Sequence, residues 1–135
     1  MREIDELELP DDVRYTKDHE WARVEGDMVR MGVTDYAQEQ LGGIVFVEVP
    51  EVGKKFKQAE ECGTLESVKA VAEVFIPVSG EIIGINTALE QSPGLINDAP
   101  YTKGWIAEVK PDDLSEMAGL MTSDAYLEML KGMRE

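Results

Sequence analysis

Short runs of β-branched and aromatic residues follow one another closely along this chain, each cut off by glycine or proline. Residues 21–25, 28–33, 44–49, 81–85 and 104–110 are the clearest, and none is long enough for a core helix. Strands this short and this closely spaced have to stack in two layers or roll up on themselves. The expected fold is therefore mainly β, a sandwich or flattened barrel carrying short helices and a C-terminal helical segment.

The punctuation places most elements. Gly26-Asp27 between two such runs predicts a two-residue hairpin. Thr34 or Asp35 can cap a short helix whose Tyr36, Ala37 and Leu41 fall at helical spacing, with Gly42 and Gly43 to stop it. Ile44 to Val49, ended by Pro50, has Glu48 as its only charge, so much of that strand is expected to be buried. A turn at residues 52–55 leads to a short element at Phe56, and 77–80 is a second turn. Residues 86–100 form a polar connection with room for one helical turn. Past Pro111, Leu114, Met117, Leu120 and Met121 make one helical stripe. Tyr126, Leu127, Leu130 and Met133 make a second, capped by Thr122 or Ser123. Residues 64–76 stay ambiguous: Leu65, Val68, Ala72 and Phe75 suit a helix, whereas Val68, Val71, Val74 and Ile76 suit strands, and no Gly or Pro marks a turn inside the run.

Charge and length exclude several classes. A net charge of −15, from 28 acidic against 13 basic groups, repels phosphate backbones and anionic membrane surfaces, so neither nucleic acid nor membrane is an expected partner. No apolar run approaches the roughly 20 residues a bilayer span needs, and the acidic start has no apolar targeting core. With 135 residues and a lone cysteine, the chain reads as residues 1–12, an acidic lead-in, and 13–135, one domain in a reducing compartment, the cytoplasm.

Little in the sequence suits catalysis. His19 is the only histidine and has no metal partners at ligand spacing. Cys62 follows Glu60 and Glu61, which oppose a thiolate. Asp112-Asp113 suits a helix start. No nucleophile–base pair supports a hydrolase. Lys69, in GTLESVKA (63–70), is distinguished only by its setting, between Val68 and Ala70 with no competing charge beside it.

That setting resembles the biotinyl/lipoyl-carrier fold, in which a lysine on an exposed hairpin is joined to a cofactor acid. Biotin carriers usually flank the lysine with Met, and acyltransferase lipoyl domains usually precede it with Asp. Glu66-Ser67-Val68-Lys69-Ala70 is instead similar to glycine cleavage H-proteins. The segments YTKDHEW (15–21), GVTDYAQEQLG (32–42), IVFVEVPEVG (44–53), PVSGEI (77–82), PGLIN (93–97) and GWI (104–106) resemble that family in order. Gly43 departs from a usual acidic residue, and Gln40 stands where some members have histidine.

The resemblance implies that residues 64–76 run strand–turn–strand with Lys69 at the turn. It implies lipoate in amide linkage to Lys69, on an arm of about 10–15 Å from standard bond lengths. Glu66, Ser67, Val68 and Ala70 would form the hairpin read by a lipoate ligase or lipoyl/octanoyl transferase. Glu20, Glu73 and Gln40 would be candidates to line a cleft for the arm. The chain would be a monomeric carrier, not an enzyme. It would take an aminomethyl group from glycine decarboxylase (P-protein) to an aminomethyltransferase (T-protein), then present dihydrolipoyl to dihydrolipoamide dehydrogenase (L-protein). Two other readings share the sequence: an H-like lipoyl carrier in lipoate relay or sulfur oxidation, and an unmodified protein-interaction module.

Overall fold

The structure, a computed structural model, describes residues 3–134. Its strands in chain order are β1 (Arg14–Tyr15), β2 (Glu20–Glu25), β3 (Met28–Val33), β4 (Ile44–Glu48), β5 (Lys55–Phe56), β6 (Glu61–Ser67), β7 (Val71–Phe75), β8 (Gly80–Ile85) and β9 (Ala107–Pro111). The helices are α1 (Asp35–Leu41), α2 (Leu95–Asp98) and α3 (Ser123–Arg134), with 3₁₀ turns at Ile4–Glu6, Thr87–Glu90 and Leu114–Gly119. One antiparallel sheet runs β1-β2-β3-β9-β8-β5 and the other β4-β6-β7. The architecture is the expected sandwich, and the two sheets do not close into a barrel.

Local chemistry explains the elements that the sequence predicts. Gly26, at φ +64°, turns β2 into β3, pairing Glu25 with Met28. Thr34 caps α1 by accepting from the Ala37 N–H at 3.2 Å, and Gly42 ends it at φ +80°. The ambiguous run resolves as β6, a turn and β7, with strand pairs running from Glu61–Phe75 to Glu66–Val71.

Four expectations need correction. Val45 and Phe46 are about half exposed, at 53% and 55%, although β4 reads as a buried strand. A bulge between Ile44 and Phe46 breaks the two-residue alternation and turns both side chains outward. The stripe beginning at Leu114 is a 3₁₀ segment, with Leu114 exposed and Met121 diverted into a bridge with Tyr15. The 86–100 connection holds α2 as well as its one expected turn, and the strand expected from Gly104 begins at Ala107.

Two apolar clusters result. Between the sheets lie Met31, Leu65, Val74, Ile76, Ile82 and Val109. On the other face of β2, Trp21 packs with Tyr15, Tyr101, Tyr126 and Leu130, so α3 and the N-terminal segment cover that side. Trp21 fits because its neighbour across the hairpin is Gly32, where a Cβ would come within 2.8 Å of the indole. The lead-in joins this second cluster through buried Ile4, and the Tyr101 hydroxyl donates to the Glu8 carbonyl at 2.7 Å.

Candidate functional site

Lys69 lies in the turn between β6 and β7, and its neighbours Val68 and Ala70 are exposed with it. Neither Val68 nor Lys69 takes a positive φ, which a tight two-residue hairpin ordinarily demands. Ser67 supplies the alternative. Its buried hydroxyl accepts from the Ala70 N–H at 3.1 Å and the Lys69 N–H at 3.3 Å, while its own N–H donates to the Ala70 carbonyl at 2.8 Å. A side chain thus takes over turn hydrogen bonds usually made by backbone, which is why no glycine marks the site.

The Lys69 stem lies over Gly42 at the carboxyl end of α1. A Cβ at Gly42 would stand 3.2 Å from Lys69 Cε and 3.7 Å from Nζ. Asn97, in α2, fixes that platform. Its Nδ2 donates to the Gly42 carbonyl and to Gln38 Oε1, both at 2.9 Å, and its Oδ1 accepts from the Ile44 N–H at 2.9 Å. This explains the PGLIN segment, whose asparagine the sequence offered no reason to single out. Asn97→Ala strips three bonds at once and is expected to cost about 2–3 kcal/mol, read by denaturant unfolding. Asn97→Asp keeps the acceptor only, and is expected to recover part of that loss.

Beside this platform a cleft of about 200 Å³ runs between α1 and β7. Leu41, next in chain to Gly42, is at its lip, and Val33, Ala37, Leu65 and Ala72 give it apolar walls. Asp18, His19, Glu20 and Glu73 add polar groups. The structure therefore brings Glu20, Gln40 and Glu73 together at one cleft, although 53 residues separate Glu20 from Glu73 in sequence (73 minus 20).

Glu20 is 1% exposed, unlike an ordinary glutamate. Burial pushes its carboxyl up to about 8, against the opposing pull of the Thr16 hydroxyl, which donates at 2.6 Å, and the Phe75 N–H, which donates at 3.2 Å. The Phe75 bond satisfies part of the open edge of β7, so Glu20 also ties the two sheets together. His19 sits at φ +74°, its Nδ1 2.8 Å from the Tyr126 hydroxyl, and burial lowers its basicity. Burial and the charges of Glu20 and Glu61 push Cys62 up to about 12, which keeps it a thiol. Among the described residues no group of three or more His, Cys, Asp or Glu could hold a metal.

The sequence missed one further feature. An outward-facing row of Phe46, Glu66 and Val71 crosses the small sheet, and with Val45 and Val68 it leaves exposed apolar side chains on the sheet and turn that carry Lys69.

Two packed antiparallel sheets with a lysine at the outer turn of the smaller one define a biotinyl/lipoyl-carrier-like domain. The family model described as glycine cleavage H-protein matches residues 13–133. The glycine cleavage system H protein of Geobacillus kaustophilus is 50% identical over 124 residues, covering 92% of this chain and 98% of its own. That of Bacteroides thetaiotaomicron is 46% identical over 126 residues, covering 93% of this chain and 100% of its own. A crystal structure of a glycine cleavage system H protein from Mycobacterium marinum superposes with a TM-score of 0.83 at 39% identity, covering 90% of this chain and 98% of that one. The chain belongs to the glycine cleavage H-protein family.

Proposed function

We propose that this chain is the lipoyl-bearing carrier of a glycine cleavage system, with lipoate attached to Lys69 and Glu66, Ser67, Val68 and Ala70 forming the hairpin that the attaching enzyme reads. The observation that carries this reading is one exposed lysine, held at a rigid turn beside an apolar cleft, in a member of the H-protein family. Lipoate and its alkyl chain are apolar, and the walls of the cleft suit them. Bound there, lipoate supplies a dithiol–disulfide couple that receives an aminomethyl unit derived from glycine, yields it to a transferase and is then reoxidised.

The chain's own residues would guard and present that group. Leu65, Ala37 and Ala72 exclude water from one side of the cleft, which slows hydrolysis. Glu20 and Glu73 attract a protonated amine, and Gln40 stands at the rim. Exposed Val68, Val71 and Phe46 give partner enzymes an apolar contact around the lysine, while the −15 surface speeds encounter with basic faces. The partners are the other glycine cleavage components, namely the P-, T- and L-proteins, and the enzyme that attaches lipoate. The carrier performs none of their chemistry. Tethering raises the concentration of one small group at each partner's site in turn, which calls for transient contacts and a monomer. The carrier domain is residues 13–135, with residues 1–12 as its lead-in, and it works in the cytoplasm beside those enzymes. Among the described residues no helix is long and apolar enough to cross a membrane. No observation favours the relay carrier or the unmodified module.

Intact-mass measurement and peptide mapping of protein from its native host provide the test. One lipoyl increment, confined to the peptide containing Lys69, is the expected result. An unmodified Lys69 that also resists a lipoate ligase supplied with lipoate and ATP overturns the proposal.

A further inference from the structure

The hydroxyl of Tyr126 occupies a place that packing does not require. The side chain is fully buried on α3, with its ring stacked on Tyr15 at 4.6 Å and 4° between planes. A phenylalanine would keep that stacking. The hydroxyl lies 2.8 Å from His19 Nδ1 and 2.8 Å from Thr34 Oγ1. These two residues are bonded neighbours at the end of the β2–β3 ladder, and each leads into a different part of the cleft lining. His19 and Glu20 line it from the start of β2, whereas Thr34 caps α1, which lines it through Tyr36, Ala37 and Leu41.

His19 also needs holding. Its φ of +74° is uncommon and costly for a residue with a Cβ, and the surroundings must enforce it. Its N–H donates to the Thr16 carbonyl at 3.2 Å, and its carbonyl accepts from the Thr34 N–H at 3.0 Å. The Tyr126 hydroxyl is the side-chain anchor added to these backbone bonds. Through it α3, which contributes no lining residue, is connected to both of these lining segments.

We infer that Tyr126 is a positioning residue for the arm cleft, its hydroxyl fixing the His19–Glu20 end against the N-terminal cap of α1. The inference rests on the carrier reading, since the cleft matters only if a group attached to Lys69 occupies it. The His19–Glu20 segment and α1 have to keep their relative placement for Glu20 to meet a cargo that has reached the cleft. Without the hydroxyl, the turn at His19 and the cap at Thr34 each lose one bond, and only backbone bonds hold the two lining segments in place.

The experiment compares Tyr126→Phe with Leu130→Ala in the full chain. Leu130 is buried one helical turn further along α3, and its truncation weakens packing without touching the hydroxyl. The first readout is amide hydrogen exchange of the unlipoylated proteins. Tyr126→Phe is expected to speed exchange at least fivefold at residues 19–20 and at Ala37, while its melting temperature falls less than that of Leu130→Ala. Leu130→Ala is expected to leave those amides within twofold of wild type. The second readout is hydrolytic loss of the aminomethyl cargo as formaldehyde and ammonia from lipoylated, loaded protein, which consumes one water and regenerates the thiol. Tyr126→Phe is expected to lose cargo several-fold faster, and Leu130→Ala at the wild-type rate. Exchange and cargo loss that both follow global stability overturn the inference alone. Wild-type loss as fast as from a loaded lipoyl-lysine peptide overturns the cleft reading beneath it, and the inference with it.

Discussion

Lys69→Arg abolishes lipoylation and reduces glycine cleavage in a reconstituted system to background, while unfolding free energy stays within about 0.5 kcal/mol of wild type. The separation of the two effects is what the geometry predicts. Lys69 is exposed at a turn whose bonds are made by the backbone and by Ser67, so its head group supports nothing in the fold. Its stem lies on Gly42, and an arginine stem can do the same. Arginine keeps the positive charge, but its guanidinium stays protonated and offers no amine to acylate. Intact mass after exposure to lipoate ligase, a glycine cleavage assay and a denaturant titration read the three quantities. Glycine cleavage retained by the arginine variant places the attachment elsewhere. A loss of stability parallel to the loss of function makes Lys69 a structural residue instead.

Much of this framework was legible because it depends on local chemistry. Gly26 at the hairpin, Thr34 at the start of α1 and Gly42 at its end each supply something that only a few residue types can. The hairpin that presents Lys69 was not legible from pattern alone. Its turn bonds to a serine hydroxyl, so it leaves no Gly or Pro behind, and the flanking valines suit helix spacing as well as strands. Only the ordered family segments resolved it. A serine two positions before the lysine was the signal available, read as a side-chain-bonded turn.

What stayed hidden depends on contacts between distant segments. Asn97 binds groups of α1 and β4 from α2, and Tyr126 reaches His19 across 107 positions (126 minus 19). Neither residue departs from its ordinary type. Phe46 misleads in the opposite direction, since β4 has the composition of a buried strand and a bulge exposes it. These three fall on or beside the hairpin and cleft, where local pattern and packing part company.

Glu20→Gln changes how stability depends on pH, and the sign follows from burial. The unfolded carboxyl titrates near 4.5, and the folded one is raised to about 8. Between those values the folded state holds a proton that the unfolded state has released, so this group's contribution shrinks as pH rises. It is fully present below about 4.5 and gone above about 8. Glutamine cannot ionise. The variant is therefore expected to gain on wild type by roughly 2–4 kcal/mol between pH 5 and pH 9. At pH 5 it is expected to be the less stable of the two, because its amide buries a second N–H that the neutral acid does not have. Repulsion among the other acidic groups is common to both proteins and cancels in the difference. Guanidinium titrations at unit pH steps measure it, and a difference that does not change with pH rejects the buried, protonated Glu20. The same group connects stability to cargo. A cationic amine beside Glu20 favours the carboxylate, so loading wild-type carrier near pH 7 should release a proton that Glu20→Gln does not. Stability at Glu20 and the proposed electrostatic recognition of the cargo then draw on a single titration, and Glu20 contributes most to stability where it is uncharged.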